Sequence, residues 1–487
     1  MAGWFSTLFR PRTVLDQMQR QTAIYILGEP GSGKTSLMET YIWQDIEAGR
    51  GVGVVDNAGD LSERLAIRLS ARPDLWHRLV WIDMSKPEWM IRINPLAAFA
   101  GMDSTRVSEF VKSMVIRLWG VDTDQTPRMT WVMTNAFQAL AALNLTLVDL
   151  PQFLLNKPFR DQMLPKLPAS LAPVRFYFDY EFPKTQGGAR LFSLPILNRL
   201  GPLLFDADIR AMLAGSNPLD FRKVLDEGHI VIAKVPKGIL GQEASSLLAA
   251  FIVARFQQAA ISRANTDIGA DNGRPDYYLY LDEFHNYTTD NITEILDESR
   301  KFNLRLTMAH QYLEQISPRL RSAVLNTSGT VISMRVGYED AKVLAPIVFP
   351  RPDWLSQTNI DYRVIGTSRM RLIQTEERVE ANRWDNLAQA LVNQENRSFW
   401  VRRKGLNNPR QLHTHDLPVL QMSTEVKERL AQMRETAGPL FGVRRTDALA
   451  ELAALEQQRQ AMQAAVKPKK KRGRPTKAKE GTPTKAK

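Results

Sequence analysis

Along the first hundred residues, short apolar runs alternate with longer stretches of helical periodicity. The runs are 23–27 (AIYIL), 52–55 ending at Asp56, and 79–82 (LVWI). Each stretch between them is long enough to hold a crossover helix, so the pattern predicts a parallel α/β sheet. From 104 to 217 the rhythm changes. Val107, Phe110, Val111, Met114, Val115 and Leu118 recur at helical spacing, 131–145 repeats the pattern, and no convincing strand interrupts, which predicts an all-helical insertion. Strand patterns return at 229–235 (HIVIAKV), 277–281 (YYLYL), 305–309 (RLTMA) and 330–336 (TVISMRV), with an apolar helix over 243–263. The segment 362–374 reads as a hairpin and 398–402 as a further strand. Beyond Pro418 the pattern is that of exposed helix. Leu449, Leu452 and Leu455 there suit packing on a neighbour as well as on the same chain. No internal repeat is evident. The chain thus divides into an N-terminal segment (1–20), an α/β core in two parts (21–103 and 218–420), the helical insertion (104–217), a C-terminal helical segment (421–466) and a tail (467–487).

Composition adds limits. A chain of 487 residues with 44% hydrophobic residues can bury a substantial core and form two or three domains. The absence of cysteine excludes disulfides and thiolate metal sites, and is compatible with a reducing cytoplasm. Of six histidines only His413 and His415 lie close in sequence, on a polar loop that reads as solvated. Apolar runs such as 246–253 are broken by Arg255, which predicts no bilayer-spanning segment. The start, MAGWFSTLFRPR, has too short an apolar stretch for a signal peptide; Trp4, Phe5, Leu8 and Phe9 are expected to pack on the body or on a partner. The formal charge of +12 is concentrated at one end. Ten basic residues and one acidic, Glu480, follow position 466, so the tail holds nine of the twelve net charges.

The candidate chemistry begins where the first strand ends. Gly28 to Thr35 reads G-E-P-G-S-G-K-T, the pattern of a phosphate-binding loop. Gly28, Gly31 and Gly33 allow the backbone N–H groups to turn toward phosphate oxygens. Glu29, Pro30, Ser32 and Ser36 complete the cradle, and the following helix adds the positive end of its dipole. Lys34 is placed to neutralise the β and γ phosphates of ATP, and the Thr35 hydroxyl to ligate Mg²⁺. A second element follows the strand 277–281, which ends in Asp282 and Glu283. Asp282 suits Mg²⁺ ligation through water. Glu283 suits orientation and deprotonation of an attacking water, which favours hydrolysis over binding alone.

The stretch 281–315 (LDEFHNYTTDNITEILDESRKFNLRLTMAHQYLEQ) resembles the motor ATPases of DNA conjugation, the TraG/TraD-type coupling proteins of type IV secretion, and more distantly the HerA and FtsK DNA translocases. D-E-F, S-R-K-F-N-L and A-H-Q carry the resemblance, with VDNAGDL (55–61), INPLA (93–97), PKGILG (236–241) and NTSGTVISMRVGYEDA (326–341) adding to it. It implies a RecA-like P-loop NTPase core with an inserted all-α domain, to which the chain adds a basic C-terminal tail whose prolines and lack of aromatic residues predict disorder. It also implies a hexameric ring that hydrolyses ATP with Mg²⁺ to move DNA through its centre. By position it implies that Gln311 senses the γ-phosphate and that Arg300 acts on a neighbouring subunit's ATP, with Arg335 the rival for that role. Coupling proteins usually begin with transmembrane helices and this sequence shows none. This departure from the pattern leaves membrane attachment open: the expectation is a cytoplasmic protein, peripheral at the inner membrane, if at all, through a membrane-channel partner, with a relaxase as a further expected partner. Lys470, Lys471, Arg472, Gly473, Arg474 and Pro475 resemble an AT-hook, whose arginines enter the A·T minor groove; the alternative is a solvated lysine-rich tail that binds any polyanion. Two other functions stay open at this point: a HerA/FtsK-type translocase in repair, segregation or packaging, and a nucleotide-switched DNA-binding adaptor.

Overall fold

The computed structural model describes residues 22–85, 87–98, 102–182, 188–215, 217–265, 274–287, 296, 300–349, 383–405, 409–414, 417–418 and 421–465. Seven parallel strands form the body of one sheet: β1 (Ile24–Leu27), β2 (Gly51–Asp56), β3 (Leu79–Asp83), β5 (Ile230–Lys234), β6 (Tyr277–Asp282), β7 (Leu304–His310) and β8 (Thr330–Ser333). Two antiparallel strands, β9 (Ser398–Arg403) and β10 (Arg410–His413), extend one edge, giving the order β10-β9-β8-β1-β7-β6-β2-β5-β3. A separate two-stranded ribbon pairs β4 (Trp89–Met90) with β11 (Val443–Arg444).

The central strands read as unbroken apolar runs because both faces are covered. Alternate residues feed two cores. Tyr25, Leu27, Leu279 and Leu281 point to one, and Ile24, Ile26, Tyr278 and Tyr280 to the other. The second core is roofed by the helices Lys34–Glu47 and Asp60–Ser70, with Met433 and Ala437 of the helix Thr424–Phe441. The first core continues without a break into a set of helices between β4 and β5, the longest being Ser104–Leu118, Pro127–Ala142 and Gly188–Phe205.

The apolar helix expected over 243–263 is present, but it is longer and more apolar than the break at Arg255 implied. Gln242–Ser262 continues through that residue for 21 residues and is long and apolar enough to cross a membrane, but 94% of its apolar window is buried inside the fold. Arg255 is itself buried there, donating to the Ala97 carbonyl at 2.5 Å and to Gln258 Oε1 at 3.1 Å. The C-terminal helix Arg445–Ala465 resolves the choice left by its leucines in favour of the same chain. Leu452 is buried, and Arg445 reaches Asp208 at 2.9 Å, Arg210 reaches Glu456 at 3.4 Å, and Arg92 and Arg459 pair with Glu451 and Asp149.

Other differences are local. The strand expected over 330–336 ends at Ser333, so Arg335 lies beyond the sheet. His413 lies on the edge strand β10 rather than in a loop, and is exposed as expected. The hairpin expected over 362–374, the N-terminal segment 1–20 and the basic tail fall outside the described residues.

Candidate active site

The loop between β1 and the helix Lys34–Glu47 is shaped by its glycines. Gly31 and Gly33 take left-handed backbone conformations, φ 77° and 106°, that side chains resist. A Cβ on Gly28 would lie 2.7 Å from Met334 Cβ. Gly33 caps the helix without a side-chain bond, which leaves the first-turn N–H groups open to an anion. Lys34 Nζ folds back over the loop and donates to the carbonyls of Gly28 at 2.6 Å and Glu29 at 3.3 Å. Thr35 and Ser36 follow in the first helical turn, each half-buried.

Sheet order brings the distant motifs together. β7 lies between β1 and β6, with Leu27 level with His310 and Asp282 level with Ala309. Gly28, Gln311 and Glu283 therefore leave the carboxyl edge of the sheet side by side, where open α/β sheets bind ligands. Gln311 Nε2 donates to Glu283 Oε1 at 2.7 Å. Asp282 is 5% exposed and accepts the Glu283 N–H at 3.1 Å. On the other side β2 ends in Asp56, whose carboxylate accepts from the N–H groups of Ala58, Gly59 and Ser62 at 3.0, 2.8 and 2.8 Å.

This crowding of acids sets the electrostatics. Burial, with Asp56 and Glu283 adding repulsion and Lys34 opposing, pushes the Asp282 carboxyl up to about 7. Burial also lowers the Lys34 pKa, against the pull of Glu283, Asp282 and Glu29. Three carboxyl groups against one ammonium leave a deficit of positive charge that a divalent cation would fill. The same crowding makes a stability prediction. A carboxyl raised above its unfolded value keeps its proton in the folded state, so stability falls as pH rises between about 4 and 7. Asp282→Asn removes that cost. In the absence of divalent cations its gain in unfolding free energy is expected to grow from pH 5 to pH 8, reaching at most on the order of 4 kcal/mol. Urea titrations at the two pH values measure it, and a gain independent of pH would mean that Asp282 is ionised throughout.

Of the other residues singled out from the sequence, Arg335 pairs with the Glu29 carboxylate, and its carbonyl accepts the Glu29 N–H at 2.9 Å. Arg300 opens a short turn, Arg300–Phe302, and its side chain lies outside the described residues, as do Lys470 to Pro475. The sequence reading missed the far wall of the loop. Arg397, at φ 70°, donates its N–H to the Ser32 carbonyl at 2.8 Å and packs on Gly33, while Gln394 Nε2 bonds the carbonyls of Ser333 and Met334 at 3.2 and 3.0 Å. No local pattern marks these residues, because only the antiparallel return of β9 brings them to the loop.

No family model matches the sequence, and no curated protein does. Solved structures do match. The unbound monoclinic form of the bacterial conjugative coupling protein TrwBΔN70 aligns with a TM-score of 0.51 and 12% identity over 82% of this chain and 85% of that one. The plasmid coupling protein TrwB in complex with ADP and Mg²⁺ gives 0.51, and with the non-hydrolysable ATP analogue ADPNP 0.50, each at 12% identity over 82% of this chain and 86% of that one. At this identity the likeness is one of fold: the chain is an α/β protein built as this coupling protein is.

Proposed function

We propose that the protein is an ATP hydrolase that drives DNA in conjugative, type IV secretion-like transfer. The convergence of Lys34, Asp282, Glu283 and Gln311 at one sheet edge carries this reading, within a fold whose solved examples bind ADP with Mg²⁺ and an ATP analogue. The residues present fit both groups. Gly28, Gly31 and Gly33 form a cradle that Lys34 already overhangs, and the unbalanced carboxylates suit Mg²⁺, held by Thr35 and Asp282. When bound, the ion offsets charge on the β and γ phosphates. Glu283 takes the proton of the attacking water, and Gln311, bonded to its carboxylate at the end of the strand beside the loop's own, is the candidate sensor of the γ-phosphate. Turnover of ATP measured with and without duplex and single-stranded DNA tests the reading. Binding of ATP without turnover would instead favour the nucleotide-switched adaptor.

In this reading 104–217 is the all-α insertion between two parts of the core, and the active form is a ring, hexameric in the simplest case, that works with a relaxase-like or channel partner on the cytoplasmic side. Because Arg335 is engaged with Glu29 of its own loop, Arg300 is the better candidate to act across the subunit boundary. Mixing Arg300→Ala with Glu283→Gln subunits should then restore part of the hydrolysis lost by each, since some interfaces combine an intact Glu283 with an intact Arg300. No recovery at any ratio, with co-assembly demonstrated, moves the role to Arg335.

The tail governs DNA affinity more than catalysis. Removing 467–487 deletes nine net positive charges, and each lost phosphate contact should flatten the slope of log K against log salt by roughly 0.9. Replacing Arg472 and Arg474 with alanine should abolish preference for A·T-rich duplex if the AT-hook reading holds. Salt titrations on A·T-rich and G·C-rich duplexes check both, and identical slopes for intact and truncated protein would free the tail of any DNA role.

A further inference from the structure

The turn after β6 contains a contact that the hydrolysis described above does not use. Glu283 has φ 48°, a left-handed conformation uncommon for a residue with a long side chain, and it caps the single short turn Phe284–Asn286. Neighbours hold it there. Asn286 donates to the Glu283 carbonyl through both its backbone N–H, at 3.0 Å, and its Nδ2, at 3.1 Å, and the Tyr287 hydroxyl donates to the Asp282 carbonyl at 2.7 Å. Backbone strain of this kind persists where the surroundings over-determine it, and it clusters at working sites.

The consequence is the position of His285. The turn folds its ring back over the carboxylate, with Nδ1 3.5 Å from Glu283 Oε2. Both atoms are buried, and neither has a hydrogen-bond partner among the described residues. A buried carboxylate oxygen without a donor is costly, and an approach closer by about 0.5 Å makes this pair a hydrogen bond. The other oxygen, Oε1, is already bonded to Gln311. Burial, with Lys237 adding to it and Glu283 opposing, lowers the His285 pKa, so the ring faces Glu283 as a neutral imidazole. A neutral donor orients a carboxylate without cancelling the charge that makes it a base; an imidazolium would cancel it.

Resting on the hydrolytic reading, we propose that His285 is a positioning residue for Glu283: its Nδ1–H donates to Oε2 and, with Gln311 on Oε1, fixes the carboxylate so that its remaining lone pairs face the attacking water. The test compares three variants of the full chain by steady-state ATP turnover, nucleotide affinity and thermal unfolding. His285→Ala should lower kcat by about 10- to 100-fold with KM and nucleotide affinity within about twofold of the parent. His285→Asn, whose amide nitrogen overlays Nδ1, should recover kcat to within about threefold of the parent, whereas His285→Gln, whose amide reaches toward the Nε2 position, should behave as alanine does. Equal kcat in all three folded variants, whether at the parent level or uniformly reduced, overturns the proposal. Lys34→Ala separates the two levels of inference. If the parent shows no turnover that depends on Lys34, the hydrolytic reading fails and this one with it; if it does, equality among the His285 variants removes this proposal alone.

Discussion

Lys34→Ala is expected to abolish ATP turnover, by about 10³-fold or more, while the protein remains folded. The ammonium folds over the loop, donating to the Gly28 and Glu29 carbonyls, the position from which a phosphate-loop lysine would neutralise the β and γ phosphates. Its loss should cost the fold little. Burial already lowers the Lys34 pKa, so the charged form is held in the folded state at a disadvantage that alanine does not share. Its removal reaches Asp282 as well. Lys34 opposes the rise of the Asp282 carboxyl, so without it Asp282 should keep its proton to higher pH and hold a divalent cation less well. Turnover, nucleotide affinity and thermal unfolding measured together check this, and retained turnover in a folded variant would reject the phosphate-loop assignment.

How much was legible from the sequence depends on how local each element is. The loop from Gly28 to Thr35 and the apolar strand ending at Asp282-Glu283 are written in consecutive residues, and so are the central parallel strands and the helical stretch after β4. The pairing of Gln311 with Glu283 was not legible. It requires β7 to lie between β1 and β6, and sheet order is fixed by packing over the whole chain rather than by the pattern of any one strand. The same holds for Arg397, brought to Gly33 by the antiparallel return of β9, and for the ribbon of β4 and β11, whose two-residue strands carry no periodicity. The helix through Arg255 was legible, but the burial of its cation was not. A cation in an apolar run signals an interruption by composition, but the Ala97 carbonyl and Gln258 supply acceptors that let the helix bury it.

Glu283→Gln is expected to separate binding from chemistry. The amide keeps the size of the carboxylate and an oxygen that can still accept from Gln311 Nε2, and the left-handed backbone at Glu283 is held through its carbonyl by Asn286 rather than by its side chain. The turn should therefore survive. The proposed base does not, so turnover should fall by about 10²- to 10⁴-fold. Nucleotide affinity should move the other way or stay constant. Glu283 is one of the groups that raise the Asp282 carboxyl, so its neutralisation lets Asp282 ionise at lower pH and removes a negative charge that repels the phosphates. The variant should thus bind ATP at least as tightly as the parent and, if the ring closes on DNA when ATP is bound, remain on DNA through a salt wash that releases the parent. Equilibrium nucleotide binding and single-turnover hydrolysis distinguish the outcomes. Loss of binding together with turnover would make Glu283 a structural element of the turn, and unchanged turnover would place the base elsewhere on the sheet edge.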